Sequence, residues 1–148
     1  MTNYEEINGM LSSIISDVPY TMTNLANASA LLFEKLADIN WAGFYTIKDG
    51  KLVLGPFQGK VACTMIPLGK GVCGTAAAED RTQLVPDVHQ FNGHIACDSA
   101  SNSEIVIPMH RNGEVFGVLD IDSPLFDRFD DNDKVGLEAF VKILEKAI

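Results

Sequence analysis

The sequence predicts an α+β domain, in which helices at both ends of the chain pack on one face of a central antiparallel sheet. Apolar residues recur with helical spacing near both termini, whereas strand-like runs occupy the middle of the chain. Two pairs of these runs are joined by Asp49-Gly50 and Asn112-Gly113, dipeptides that favour tight antiparallel hairpins. The connector between the hairpins holds all three cysteines, and we expect it to roof a pocket on the opposite face of the sheet.

Three longer helices are expected. Residues 3–17 carry apolar side chains at the i, i+3, i+4 spacing of an amphipathic helix, and a second helix is predicted from Thr23 to Asp38. The last helix is predicted to run to the C-terminus after an N-cap at Asp130 or Asp131, because an aspartate side chain can accept from the first free backbone amides.

Between these helices the apolar period changes to that of strands. Trp41–Lys48 and Lys51–Pro56 form the first predicted hairpin, and Ser103–His110 and Glu114–Asp122 form the second. The connector is predicted to contain four shorter pieces, which are a strand near Ala62–Ile66, a short helix over Val72–Glu79, a strand at Gln83–Pro86 and a loop from Asp87 to Asn102.

Composition narrows the class of protein. The 148 residues fit one domain, residues 1–148, large enough to bury a core. A net charge of −9 argues against nucleic acid or an anionic membrane as partner. No apolar run reaches the length of a membrane span, and the N-terminus lacks signal-peptide features, so we expect a cytoplasmic protein. Three cysteines, an odd number, argue against a structural disulfide framework.

The cysteines differ in their surroundings. Cys73 follows Lys70 at the expected start of a short helix, where the helix dipole and the lysine lower a thiol pKa. Local electrostatics therefore rank Cys73 first as a reactive thiol. Cys97 lies in a polar loop, where burial as a small apolar residue is less natural, although Asp98 opposes a thiolate. Cys63 lies in a short apolar stretch and is structural unless another thiol approaches it.

Three carboxylates mark the later strands. Glu104 begins one strand, and Asp120 and Asp122 share a face of the next because strand side chains alternate. If that face is enclosed, at least one of the two aspartates has a raised pKa and can donate a proton to a substrate oxygen. An ionised neighbour can bind an ammonium group. Trp41 and Tyr45 share a face of an earlier strand and can wall the pocket. Each feature has a plainer interpretation, a strand end in solvent and an aromatic core.

Two other kinds of site are open from the residues alone. His89, His94 and Cys97 lie close enough in sequence for a zinc site, but their spacing matches none of the common structural patterns. A cysteine hydrolase needs a histidine base and an orienting partner, roles that His94 and Asp87 can fill. Neither reading is demanded by the spacing, and the sequence predicts no metal and no cofactor.

Seven blocks resemble the free methionine-(R)-sulfoxide reductases, which are single GAF domains. The likeness covers nearly the whole chain and includes all three cysteine positions. The blocks are Trp41-Ala-Gly-Phe-Tyr45, Gly55-Pro-Phe-Gln-Gly-Lys-Val-Ala-Cys63, Gly69-Lys-Gly-Val-Cys-Gly-Thr-Ala-Ala-Ala78, Gln83-Leu-Val-Pro-Asp-Val-His89, His94-Ile-Ala-Cys-Asp-Ser-Ala-Ser-Asn-Ser-Glu-Ile-Val106, Gly117-Val-Leu-Asp-Ile-Asp-Ser-Pro124 and Phe126-Asp-Arg-Phe-Asp130.

The resemblance implies an oxidoreductase that converts free methionine-(R)-sulfoxide to methionine with electrons from thioredoxin. Carried over by position, Cys97 attacks the sulfoxide sulfur and becomes a sulfenic acid. Cys63 then resolves it as a disulfide, and Cys73 is a second resolving or relay thiol. This assignment replaces Cys73 by Cys97 as the expected nucleophile. Sulfoxide reduction needs a thiolate, an acid and a second thiol, and the chain offers all three without a cofactor.

The resemblance also assigns the substrate-binding residues. Glu104, Asp120 and Asp122 hold the ammonium group and protonate the sulfoxide oxygen, while Trp41 and Tyr45 line the side-chain pocket. The competing function is a GAF-type sensor of a small molecule or of redox state, which binds without turnover. A homodimer is the other partner considered, with the amphipathic first helix as its surface.

Overall fold

The computed structural model describes residues 1–93 and 100–148. In chain order, these residues form α1 (Tyr4–Ile15), α2 (Thr21–Lys35), β1 (Trp41–Lys48), β2 (Lys51–Gly59), β3 (Met65–Pro67), α3 (Gly71–Glu79), β4 (Gln83–Val85), β5 (Ser103–Arg111), β6 (Glu114–Ser123) and α4 (Asp131–Glu145). A single 3₁₀ turn at Val88–Gln90 lies in the predicted loop. None of the described helices has the length and apolarity needed to cross a bilayer.

The strands form one antiparallel sheet in the order β3-β2-β1-β6-β5-β4. The two predicted hairpins, β1–β2 and β5–β6, are both present, and β1 pairs with β6 so that the hairpins lie side by side. Asp49, Gly50, Asn112 and Gly113 all adopt positive φ, as tight hairpin turns require. The predicted α+β class is confirmed.

One face of the sheet packs against α1, α2 and α4. Phe44, Ile105 and Leu119 alternate onto this face and are buried against the helices. A capping box starts α4 at Asp130, whose side chain accepts from the Asp133 backbone amide. The Tyr4 hydroxyl donates to Asp133 at 2.6 Å, which joins α1 to α4. These contacts assemble the terminal helices into one layer, as the apolar periodicity predicted.

The other face of the sheet packs against α3. Val72, Val106 and Val118 belong to this second apolar cluster, which also includes the buried thiol of Cys73. A side chain at Gly74 would collide with the Pro67 carbonyl oxygen, so glycine lets α3 approach the end of β3. The pocket lies within this thinner layer.

The first hairpin extends further than predicted. The prediction ended β2 at Pro56, yet the strand continues to Gly59 through this proline, which has no N–H to donate to a ladder. A register shift between Gly43 and Tyr45 places Gly55 and Pro56 in a bulge, a position where proline is tolerated. The strand predicted over Ala62–Ile66 begins later, at Met65, so the segment before it is free to border the pocket.

Candidate active site

The pocket is bounded by the second face of the sheet, the N-terminus of α3 and the segment before β3. Strand register explains which side chains meet there, because Glu104 on β5 lies opposite Asp122 on β6. Trp41 on β1 lies opposite the same Asp122 from the other side. Side chains lining the pocket include Trp41, Tyr45, Lys70, Cys73, Ser101, Glu104, Asp120 and Asp122.

The acidic side chains are enclosed. Glu104 is 7% exposed and Asp120 is 5% exposed, while Asp122 is half-buried. The interpretation that this strand end emerges into solvent is therefore wrong for Asp120. Burial raises the pKa of Glu104 well above its ordinary value, and the charges and hydrogen bonds of Asp120 and Asp122 raise it further. The sequence predicted a raised pKa for at least one of the two aspartates, and the structure gives a raised pKa to their neighbour Glu104.

Cys73 faces this carboxyl cluster. Its sulfur and one oxygen each of Glu104 and Asp120 all lie within 4.8 Å of one another. The thiol is free and 5% exposed, and burial raises its pKa well above the ordinary value, with Asp120 and Glu104 acting in the same direction. The expectation of a lowered pKa is wrong. The helix does begin at Gly71, but desolvation and two facing carboxyl groups outweigh its dipole, and Lys70 is exposed.

Aromatic rings form the opposite wall of the pocket. Trp41 stacks on Phe57 with ring centroids 5.2 Å apart and on Tyr45 at 5.9 Å. The Trp41 indole donates to the Lys60 carbonyl at 3.1 Å, and the Tyr45 hydroxyl donates to the Cys63 carbonyl at 3.0 Å. Burial raises the pKa of Tyr45, so its hydroxyl keeps the proton that makes the bond. These two bonds fix the segment before β3 to the sheet.

The absence of a side chain at Gly43 leaves room for the Trp41 ring. A methyl group at this position would collide with Phe57 and would lie 2.8 Å from the Trp41 ring. Sequence reasoning did not single out Gly43 or Phe57. A glycine inside a strand pattern is the signal that could have found the first, since it indicates a close approach of another group.

Comparisons with known proteins identify the family. The sequence profile of the GAF domain matches residues 12–148. A free methionine-R-sulfoxide reductase of Escherichia coli is 54% identical over 145 residues, which are 98% of this chain and 88% of the relative. The chain belongs to the free methionine-R-sulfoxide reductase family of GAF domains.

Solved structures agree with this assignment. The reduced form of fRMsr of Staphylococcus aureus superposes with a TM-score of 0.97 at 56% identity, covering 99% of this chain and 96% of that one. The free methionine-R-sulfoxide reductase of Neisseria meningitidis, solved in complex with its substrate, gives 0.94 at 44% identity, covering 97% and 87%. The resemblance found in the seven sequence blocks is thereby confirmed.

Of the other two cysteines, Cys63 is among the described residues and Cys97 is not. Cys63 is half-buried beside the second apolar cluster, and it is disulfide-bonded. Cys97, which the family resemblance assigns as nucleophile, lies outside the described residues, as does His94. The described part of the pocket therefore includes the acidic cluster, the aromatic wall, Cys73 and the backbone next to Cys63.

The described residues that line the pocket include no histidine that could support the zinc or the hydrolase alternative. His89 is exposed, and its Nδ1 lies 2.8 Å from Asp87. That contact lowers the pKa of the Asp87 carboxyl. In the described ranges, the group of residues close enough to share a metal ion is Cys73, Glu104 and Asp120, which contains no histidine.

Proposed function

We propose that the protein reduces free methionine-(R)-sulfoxide to methionine and recovers its thiols through thioredoxin. The observation that carries the proposal is the enclosed cluster of Glu104, Asp120 and Asp122 facing the Trp41 wall. A polar substrate with an ammonium group and a short apolar side chain matches both halves of this pocket. The names of the Escherichia coli and Neisseria meningitidis relatives support the same substrate.

Recognition of a free amino acid follows from the charges in the pocket. An ionised carboxylate at Asp120 or Asp122 binds the substrate ammonium, and a charge-assisted hydrogen bond of this kind contributes about 1.5–3 kcal/mol. A methionine sulfoxide within a peptide has no ammonium group, so its entry would leave buried carboxylates without that partner. The side chain of the substrate then lies along Trp41, with its sulfoxide towards the proton donor.

Glu104 supplies the proton. Its raised pKa keeps the carboxyl group protonated where an exposed glutamate is ionised, so it can donate to the sulfoxide oxygen. The Cys97 thiolate attacks the substrate sulfur and forms an S–S bond to it. The S–O bond of the substrate and this S–S bond then break, and methionine leaves. Oxygen is transferred to Cys97, which becomes a sulfenic acid. The substrate sulfur gains two electrons, and the cysteine sulfur loses two.

Cys63 completes the cycle by attacking the Cys97 sulfenic acid. A disulfide forms and water leaves, and the two thiols of thioredoxin then return two electrons and two protons to the pair. The disulfide-bonded state of Cys63 supports this assignment, since Cys73 is a free thiol with a raised pKa. As a second resolving or relay thiol, Cys73 must first lose its proton to the carboxyl cluster.

The test is NADPH consumption in the presence of thioredoxin and thioredoxin reductase. Free methionine-(R)-sulfoxide, its (S) epimer and a peptide-bound sulfoxide are offered to the wild type and to Cys97→Ser, Cys63→Ser and Cys73→Ser. We expect turnover of the free (R) epimer alone, and Cys97→Ser abolishes it. Cys63→Ser still releases one equivalent of methionine but stops turning over.

A sensor without turnover is the competing function. It predicts that reduced, folded protein binds the free sulfoxide but releases no methionine with either thioredoxin or dithiothreitol as reductant. Such a result would reject the reductase. The same preparation examined by light scattering tests the homodimer, and limited proteolysis tests whether residues 1–148 behave as one domain.

A further inference from the structure

A cluster of titratable side chains lies outside the pocket, where β5 meets two helices. His110 on β5 contacts two carboxylates, since its Nε2 lies 2.7 Å from Asp80 and its Nδ1 lies 3.0 Å from Glu145. Asp80 is the C-cap of α3, and Glu145 is the last residue of α4. One imidazole ring therefore joins β5, α3 and α4. We call Asp80, His110 and Glu145 the His110 clasp.

The outer edge of β5 explains why carboxylates from both layers reach the same ring. Among the described strands, β4 pairs with β5 over residues 104–106 and no further. Beyond Val106, that edge is therefore open to the end of α3 on one side and to α4 on the other. The Glu145 carboxylate also accepts from the backbone amide of His110, which satisfies a donor at this edge.

The other charged side chains around His110 are engaged elsewhere or exposed. On the helix sides, Arg81 pairs with Glu79 at 2.7 Å, and Glu138 accepts from the Thr82 hydroxyl at 2.6 Å. The exposed charges are Lys142 on α4 and Arg111 and Glu114 on the hairpin. Of the charged groups described, those within hydrogen-bond distance of the ring are the two carboxylates of the clasp.

The clasp is complete when both ring nitrogens carry a proton. Each carboxylate accepts, so both nitrogens must donate, and only the imidazolium has two N–H groups. Burial lowers the pKa of His110, but the hydrogen bonds to Asp80 and Glu145 and their charges outweigh it, so the pKa is raised. The stabilising contribution is complete below the unfolded pKa of about 6.5 and is lost as the pH rises through the folded-state pKa.

The position of α3 depends on the contacts at its ends. Its buried residues include Gly74, Ala76 and Ala77, and small side chains supply little apolar contact with the sheet. At its C-terminal end, the chain is joined to α4 by the clasp and, just beyond it, by the bond from Thr82 to Glu138. Loss of either connection therefore removes a large share of what holds this helix.

The N-terminal end of α3 is part of the pocket. Four residues at this end line it, which are Lys70, Gly71, Val72 and Cys73. The Gly71 amide donates at 3.1 Å to the carbonyl of Gly93, which directly precedes the segment that contains Cys97. α3 has nine residues, about 13 Å, so a displacement of its C-terminal end also moves its N-terminal end.

We propose that His110 is a positioning residue for the pocket, because its imidazolium holds α3, and with it Gly71 and Cys73, in place. This inference rests on the proposed function, since it concerns how well the same pocket binds its substrate. When the ring loses one proton, one nitrogen becomes an acceptor that faces a carboxylate, and that contact is lost. The clasp then holds α3 less firmly, and the pocket binds the substrate more weakly.

The test measures KM and kcat for free methionine-(R)-sulfoxide at pH 6 and pH 9, with dithiothreitol as reductant. His110→Gln removes the cation. Asp80→Asn removes one carboxylate and keeps a residue that tolerates the positive φ of 51° at this position. Asp80 is exposed, so Asp80→Asn carries the test if His110→Gln does not fold. Thr82→Val is the matched control, since it removes a bond to α4 that involves no histidine.

We expect both clasp variants to raise KM at pH 6 about twofold to tenfold over the wild type, with kcat within about twofold. At pH 9 the ratio of each KM to that of the wild type falls towards one, because the wild type has lost the same contact. Thr82→Val gives the same ratio at both pH values. In proton NMR spectra, the His110 ring titrates above pH 6.5 in the wild type and at a lower pH in Asp80→Asn.

Alkylation of Cys73 by iodoacetamide is a second readout, and it requires no turnover. In protein that lacks the Cys63 and Cys97 thiols, we expect Asp80→Asn to speed this alkylation about twofold to tenfold at pH 6 and by a smaller factor at pH 9. Absence of wild-type turnover with dithiothreitol rejects the proposed function, and the alkylation ratio then decides the role of the clasp alone. Normal turnover, combined with KM and alkylation ratios that do not change from pH 6 to pH 9, overturns the role of His110 and leaves the proposed function standing.

Discussion

Replacing Glu104 by glutamine tests whether the acidic cluster retains a proton. Two unit charges at the 4.8 Å limit that separates oxygens of Glu104 and Asp120 repel each other by about 3 kcal/mol at an effective dielectric constant of ~20. Glutamine keeps the shape of the side chain and removes this repulsion. The native arrangement binds a proton at Glu104 instead, which makes stability depend on pH.

The direction in which stability changes with pH follows from the direction of the Glu104 pKa shift. The pKa of Glu104 is raised in the folded state above its unfolded value of about 4.3. Its stabilising contribution is complete below that unfolded value and is lost as the pH rises towards the folded-state pKa. Between pH 5 and 7, the wild type therefore loses up to about 1.4 kcal/mol per pH unit relative to Glu104→Gln.

Urea denaturation of both proteins from pH 5 to pH 8 measures this difference. We expect Glu104→Gln to gain stability relative to the wild type as the pH rises. Its kcat is expected to fall about 10²-fold to 10⁴-fold, because glutamine cannot act as the general acid. Parallel stability curves would show that Glu104 titrates as an exposed glutamate does. Full activity of Glu104→Gln would show that the proton comes from another group.

Three further predictions concern the walls of the pocket. Gly43→Ala pushes a methyl group against the Trp41 ring, so the free energy of unfolding falls by about 1–3 kcal/mol in urea denaturation and KM for the substrate rises. An unchanged KM would contradict the positioning of the ring. Tyr45→Phe removes the bond to the Cys63 carbonyl, costing about 1 kcal/mol and slowing steady-state turnover, while the single-turnover methionine yield stays at one equivalent. In a variant that lacks the Cys63 and Cys97 thiols, we expect iodoacetamide to react with Cys73 at pH 7 more than about tenfold more slowly than it does in urea, as measured by mass spectrometry. Equal rates would mean that Cys73 is an accessible thiolate in the folded protein.

Much of the architecture could be predicted because it depends on local patterns. The positive φ of Asn112 and Gly113 is a property of two adjacent residues, and it sets the β5–β6 hairpin. The two-residue period of a strand places Asp120 and Asp122 on one face before any fold is known. The register then brings Glu104 opposite Asp122, which no local pattern specifies.

The parts that could not be predicted depend on contacts between distant residues. The helix start near Cys73 is visible in the sequence, but Glu104 and Asp120 are 31 and 47 positions away and reverse its effect on the pKa. The bulge that accepts Pro56 arises from pairing with Gly43 and Tyr45 across the ladder. In both cases a tertiary contact outweighs a local preference.

The measurement that tests the central claim most directly is kcat/KM for free methionine-(R)-sulfoxide compared with its N-acetyl derivative, with dithiothreitol as reductant. The derivative keeps the sulfoxide but lacks the ammonium group that Asp120 and Asp122 are proposed to bind. Because one charge-assisted hydrogen bond contributes about 1.5–3 kcal/mol, we expect a preference of at least ~10-fold to 100-fold for the free amino acid. Equal values would contradict recognition of the ammonium group by the buried acidic cluster.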